Sequence, residues 1–244
     1  MSSYEWGLSL GAIGLYLLDS IGWLYSNELI FRCYRGSWTF AESLPLVVRG
    51  VRPYLPNPLT PGIPLFKVRW SESDPREQQE DREELERFVR ALRPVKFLVN
   101  VLLLLLLALP LVLTIYGTDV QLLVLMAAYY GVILVALGLI HARRRQLRLT
   151  DRAFVKVCFD ALACGPFAVN LLRNVSLQRS LAGNPIVFAG QSFAPAELRR
   201  LAAALAARVG DELARAYGQT AREEELEAFR MKLLAMADPP NRPV

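Results

Sequence analysis

The sequence predicts an all-α polytopic membrane protein with three transmembrane helices, its N-terminus outside and its C-terminus cytoplasmic. Three observations carry this. Two apolar cores, 95–116 with one charge, Lys96, at its edge and the uncharged 120–140, stand three residues apart. A weaker apolar run covers 6–25. All 28 basic residues lie from Arg32 onward and none falls in the turn 117–119. The mean hydropathy of +0.27 is higher than a soluble chain of this length normally shows, and the 53% apolar fraction excludes disorder. Three cysteines cannot make an even-numbered disulfide framework.

The first segment, 1–25, contains six Leu and two Ile between Trp6 and Tyr25. These contribute about −4 kcal/mol to insertion, against up to about +3 kcal/mol for Asp19. The predicted helix spans the membrane with help from protein neighbours. No basic residue precedes it and no small-x-small site follows it, so it is expected to be retained and not cleaved as a signal.

The second segment, 26–93, is a cytoplasmic loop of three parts. Phe31-Arg32-Cys33-Tyr34-Arg35, with Trp38 and Phe40, reads as an interfacial belt with arginines on lipid headgroups, or more sharply as a pocket for an anionic lipid or polyprenyl phosphate. Arg32, Arg35 and Arg49 are its candidate anionic-lipid contacts. Six prolines between 45 and 66 forbid helix and central strand. That stretch is nevertheless apolar, so it is expected to lie against the C-terminal region or a partner subunit. A charged helix over 75–93 then opens at Asp74-Pro75, with Glu83–Arg87 and Glu86–Arg90 spaced as i,i+4 pairs.

The third segment, 94–141, is a transmembrane hairpin. Val95–Tyr116 has ten leucines in 22 residues, and at 1.5 Å per residue spans about 33 Å. Val120–Ile140 follows after Gly117-Thr118-Asp119. Arg143, Arg144, Arg145, Arg148 and Arg152 cluster just beyond it, which fixes the cytoplasmic side and marks Arg143, Arg144 and Arg145 as further headgroup contacts. The pI of about 9.3 is mostly this topological signal. No nucleic-acid partner is expected, because no ordered aromatic and basic motif accompanies the charge.

The membrane-proximal segment 142–193 contains 153–172, long and apolar enough to suggest a fourth span. Lys156, Asp160, Asn170 and the Gly165-Pro166 break oppose that. The expectation is a broken helix on the membrane surface or within the cytoplasmic part, with a re-entrant segment as the alternative. Ile186-Val187-Phe188 reads as β-like. The region 194–244 reads as two amphipathic helices, one opening at Pro195 and one at the capping box Thr220–Glu223.

Chemistry-bearing motifs are sparse. The single histidine, His141, excludes a multi-histidine centre, and no CxxC pair, phosphate loop, nucleophile elbow or HExxH occurs. No catalytic residue, metal or cofactor is assigned. Asp19 is the outstanding group, placed about 9 Å inside its expected helix, with Tyr16 on the same facet. Lys96, Asn100, Tyr129 and Tyr130 are its candidate polar partners. Gly7, Gly11 and Gly14, and Ala127, Gly131 and Gly138, form small-residue seams suited to helix packing.

These features suggest a non-enzymatic structural or assembly subunit of a bacterial inner-membrane complex, whose partners are anionic headgroups and other membrane subunits. The alternatives are a homo-oligomeric proton-conducting or energy-transducing protein using Asp19, and an enzyme or carrier for lipid-linked phosphates.

Overall fold

The computed structural model describes residues 3–44, 46–70, 82–117, 119–181, 184–215 and 220–238. The helix start expected at Asp74-Pro75 lies outside the described residues. The chain is mostly helical and divides into two compact units: Met1–Gly22, Leu55–Leu65 and Arg82–Arg179 form the first, and Trp23–Tyr54, Phe66–Asp81 and Ser180–Val244 the second.

The first unit contains α1 (Ser3–Ser20), α2 (Arg82–Ala91), α3 (Arg93–Tyr116), α4 (Val120–Ala142), α5 (Asp151–Ala163), a 3-10 turn (Gly165–Asn170) and α6 (Leu171–Leu177). Two of its helices, α3 and α4, are long and apolar enough to cross a membrane. Only 33% of the apolar window of α3 and 28% of that of α4 is buried. A core helix of a soluble protein would be mostly covered; here leucines such as Leu104, Leu111, Leu123 and Leu134 face outward. Gly117 ends α3 with φ +65° and donates its N–H to the Leu113 carbonyl at 3.0 Å, a left-handed cap that only glycine adopts cheaply.

The expected first span is shorter than the sequence suggested. α1 stops at Ser20, whose hydroxyl donates to the Tyr16 carbonyl at 2.9 Å, and the next residues belong to a strand. Its 18 residues measure about 27 Å. Glu5 lies beside the α3–α4 turn, its Oε1 3.5 Å from where a Cβ on Gly117 would stand. α1 therefore starts where α3 ends.

The proline-rich stretch is divided: 55–65 packs on this same bundle, while Arg52 in its earlier part pairs with Asp211 of the C-terminal region. The Tyr16 hydroxyl donates to the Pro58 carbonyl, and Leu65 N–H donates to Ser176 Oγ at 2.9 Å. Gly62 is seated so closely on α3 that a Cβ there would be 2.7 Å from Lys96 Cγ and 3.3 Å from Asn100 Oδ1.

The second unit corrects the all-α expectation. It contains β1 (Gly22–Tyr25), β2 (Glu28–Tyr34), β3 (Ser37–Ala41), β4 (Val51–Tyr54), β5 (Leu65–Arg69), β6 (Ser180–Leu181), α7 (Pro185–Ser192), α8 (Pro195–Arg215) and α9 (Thr220–Ala237). One sheet has the order β3-β2-β5-β6, with β2 and β3 antiparallel and β5 and β6 parallel; β1 and β4 pair separately.

The physical reason is two Arg-Gly turns. Arg35 and Gly36 have φ +52° and +82°, and Arg49 and Gly50 have +50° and +80°. Two successive positive φ values make the type I′ geometry that matches strand twist. Val48 and Val51 close the second turn by exchanging hydrogen bonds of 2.9 and 3.0 Å.

Of the aromatics expected at a membrane interface, Phe31, Trp38 and Phe40 are instead the core of this unit, while Tyr34 is exposed. Phe31 stands opposite Phe40, and Cys33 opposite Trp38. Phe31 meets Phe193 edge-on at 4.9 Å, and Trp38 meets Phe66 and Phe188 at 5.2 Å. The β-like run 186–188 is likewise helical, because Asn184 caps α7 by accepting from Ile186 N–H at 2.9 Å.

Glu28 is the polar anchor of the second unit. Its carboxylate is buried against Lys67 at 3.0 Å and Arg69 at 3.3 Å and accepts from Tyr25 N–H at 3.1 Å. Burial pushes its pKa up, but Lys67, the Tyr25 N–H and Arg69 outweigh burial and hold it below the ordinary carboxylate value. Arg208 donates to the Glu28 carbonyl and to Ser43 Oγ, the latter at 2.9 Å. Burial, with Arg52 nearby, pushes its pKa down to about 10, which leaves it charged at neutral pH; Asp211 partly offsets the shift.

Two outcomes follow from this geometry. Gly36→Val and Gly50→Val each lower stability by about 1–2 kcal/mol, read as the thermal unfolding of the full chain in detergent, whereas Arg35→Asn does not. For Glu28, the unfolded state binds the proton first as pH falls. Its stabilisation is therefore present above the unfolded carboxylate pKa and is lost as pH drops through the lower folded value. Glu28→Gln flattens the acid limb of a stability-versus-pH curve, and an unchanged limb would refute the assignment.

Candidate functional site

A buried polar knot occupies the end of the first unit where α1 stops and α3 begins. Four segments build it: the last turn of α1, the proline-rich stretch, the 3-10 turn and α6. Arg173, on α6, is only 3% exposed. Its Nη2 donates to the carbonyls of Asn57 and Thr60 at 2.6 and 2.9 Å, and its Nη1 donates to Asn170 Oδ1 at 3.1 Å. Asn170 Nδ2 lies 2.9 Å from Asp19 Oδ2, to which it donates, and 3.0 Å from Ser20 Oγ. Asp19 and Arg173 are therefore bridged by one asparagine, and the planar guanidinium fork spans acceptors from separate segments.

The residues expected around Asp19 are distributed otherwise. Asp19 is in the last turn of α1, half-buried, not deep within a longer helix. Tyr16 joins the knot through the Pro58 carbonyl. Lys96 and Asn100 border Gly62. Tyr129 donates its hydroxyl to the Gly165 carbonyl at 3.0 Å, and Tyr130 packs beside it with ring centroids 6.4 Å apart. Asn170 and Arg173 were missed because the run 153–172 gave no register. The available signal was a lone arginine in the apolar stretch after Gly165-Pro166.

The same geometry describes residues 151–177. α5 runs back along α4, the chain reverses at Cys164-Gly165-Pro166, and α6 returns to the end it left. The reversal lies halfway along α3 and α4: a Cβ on Gly165 would sit 3.2 Å from Tyr129 Cε1. An apolar cavity of about 130 Å³ beside it is lined by Leu8, Ala12, Leu106, Leu109, Tyr130 and Pro166, among others. Val155, Phe159 and Leu162 turn outward from α5.

The expected headgroup arginines separate. Arg32, Arg35 and Arg49 belong to the second unit, where Arg32 Nε donates to Thr39 Oγ1 at 2.7 Å and the Arg35 guanidinium lies 5.2 Å from the Tyr34 ring centre. Arg144 pairs with Asp151. Arg143 and Arg145 line a cleft at the end of α4 together with arginines of α2.

Arg173 carries the largest single stability effect in this site. Arg173→Met removes the guanidinium that ties Asn170 to the Asn57 and Thr60 carbonyls, which keep their own turn hydrogen bonds, and costs about 3 kcal/mol, measured by thermal unfolding in detergent. Arg173→Lys recovers part of it, since an ammonium is a point charge and lacks the fork. Equal stability of Arg173→Met and wild type would remove the knot's structural role.

Comparison with known family models, curated proteins and solved structures gives no match for this chain.

Proposed function

We propose that the chain is a non-enzymatic structural or assembly subunit of a bacterial inner-membrane complex. In this reading it spans the bilayer three times, with its N-terminus outside and its second unit in the cytoplasm, and residues 151–177 form a re-entrant hairpin. The observation that carries the reading is the direction of the small-residue seams. A Cβ added at Gly7, Gly11, Gly14, Gly131 or Gly138 would meet nothing within 4 Å. Ala127, Gly131 and Gly138 are exposed on α4. Seams of this kind let helix backbones approach closely, and no neighbour within the described chain uses these.

The second unit offers a matching feature. Leu44, Leu46, Val47 and Val48 are exposed just before the Arg49-Gly50 turn. Four exposed apolar side chains within five residues of one turn suit a protein partner more than water.

The open space at the seam makes a clean test. Gly131→Leu and Gly7→Leu place their Cβ where no described atom lies within 4 Å, so the isolated protein keeps or gains stability, because glycine is the poorer helix former by about 1 kcal/mol. The expected outcome is a smaller native mass for the extracted complex in nanodiscs, with unchanged thermal unfolding of the isolated chain. An unchanged native mass and subunit composition would refute the seam as an interface, and a wild-type chain that is monomeric on extraction would refute the subunit reading as a whole.

A further inference from the structure

We propose that the arginine cleft of the first unit is a binding site for a phosphate-bearing anion, at the level where α4 ends. The cleft has a volume of about 740 Å³, and its walls carry Arg87 and Arg90 from α2 and Arg143, Arg145 and Arg148 from the turn between α4 and α5, with Glu84 as the one acidic lining residue among the described residues.

Two of these arginines are already fixed as framework. Arg143 Nη1 donates to the Ala91 carbonyl at 2.9 Å, which ties the two walls together. Arg148 pairs with Glu84 at 2.6 Å, and the same carboxylate receives Arg179 at 3.1 Å. Glu84 is thus shared between Arg148 and Arg179 and pairs with none of the other cleft arginines. Among the described residues, Arg87 holds the Glu83 carbonyl, through Nε at 3.4 Å. Arg90 and Arg145 have no acidic partner among the described residues.

Like charges brought into one concavity repel, and the most direct relief is an anion that several planar forks can share. Arg148 adds a second sign of construction. Its backbone sits at φ +48°, a conformation a non-glycine residue adopts at a cost. That conformation lies between Leu147 and Leu149, both buried. The turn is pinned by its leucines while its arginines remain at the cleft.

The depth of the site limits the ligand. Arg143 follows Ala142, the last residue of α4, and Ala91 precedes the start of α3 at Arg93. A phosphate here is either the headgroup of a lipid whose chains lie along the helices or a soluble phosphate from the aqueous side. Both present the same oxyanion to the same forks. The inference does not depend on the subunit reading.

The test uses the full chain in phosphatidylcholine nanodiscs with or without phosphatidic acid, and inorganic phosphate as the soluble probe. Arg90→Gln and Arg145→Gln each weaken binding about tenfold, read as retained lipid by native mass spectrometry or as the phosphate-induced thermal shift. Arg144→Gln removes the same charge at the same depth, but from a residue paired with Asp151, and stays within about twofold of wild type. Loss of phosphatidic acid retention alone identifies the lipid, and loss of the phosphate shift alone identifies a soluble ligand; either supports the site. Equal losses in all three variants would mean diffuse surface charge, and no loss in any would mean no site; both overturn it. Unliganded thermal unfolding of each variant guards against misfolding, since removing a repelled charge does not lower it.

Discussion

The Arg173 guanidinium is the group around which the first unit closes. A buried cation needs acceptors, and a side chain with five N–H donors needs several of them. Helices cannot supply them, because their interior carbonyls are already bonded. The proline-rich stretch can: its turn carbonyls at Asn57 and Thr60 accept the Thr60 and Ile63 N–H groups at 3.2 and 3.3 Å and keep a second lone pair for an outside donor. Asn57 and Thr60 give theirs to Arg173, and Pro58 gives its own to Tyr16. Asp19 supplies the compensating charge from across Asn170, so α1, the loop and α6 are held by one shared electrostatic requirement.

How much of this was legible in the sequence depends on which physical signal each part uses. α3 and α4 are dictated by composition: apolar runs of more than 20 residues leave little choice, and both boundaries fall within a few residues of expectation. The orientation of α3 against α4 follows from a three-residue turn. The strands of the second unit were obscured because the turns use Arg-Gly where Asn-Gly is the familiar signal, and because arginines alternating with aromatics mimic an interfacial belt. Alternation was present in Phe31–Tyr34 and Ser37–Ala41, and the register confirms it. The polar knot was not legible, since its members come from positions separated by some 150 residues and nothing local announces that Asn170 faces Asp19.

The two proposals use opposite halves of the same economy of charge. Along the helices the first unit presents small and apolar side chains outward and confines its polarity to the knot. At the end of α4 it does the reverse, collecting guanidinium groups faster than carboxylates. The second unit differs again, with its charges satisfied internally: Glu28 answers Lys67 and Arg69, and Asp211 answers Arg52. Charge left uncompensated marks a surface with something still to meet.

The reversal at Gly165-Pro166 has a consequence for how such a chain is made. Because α5 and α6 begin and finish at one end of the bundle, a bilayer around α3 and α4 would not require Asn170 or Arg173 to be carried across it. The hairpin is, however, too polar to be stable there before its acceptors exist. Asn57, Thr60 and Asp19 are all translated first, more than 100 residues ahead of Arg173. In order of synthesis, the groups that accept from Asn170 and Arg173 are thus in place before the segment that donates to them. A ribosome that paused before residue 165 would leave Asp19 and the carbonyls of Asn57 and Thr60 without the donors that Asn170 and Arg173 supply.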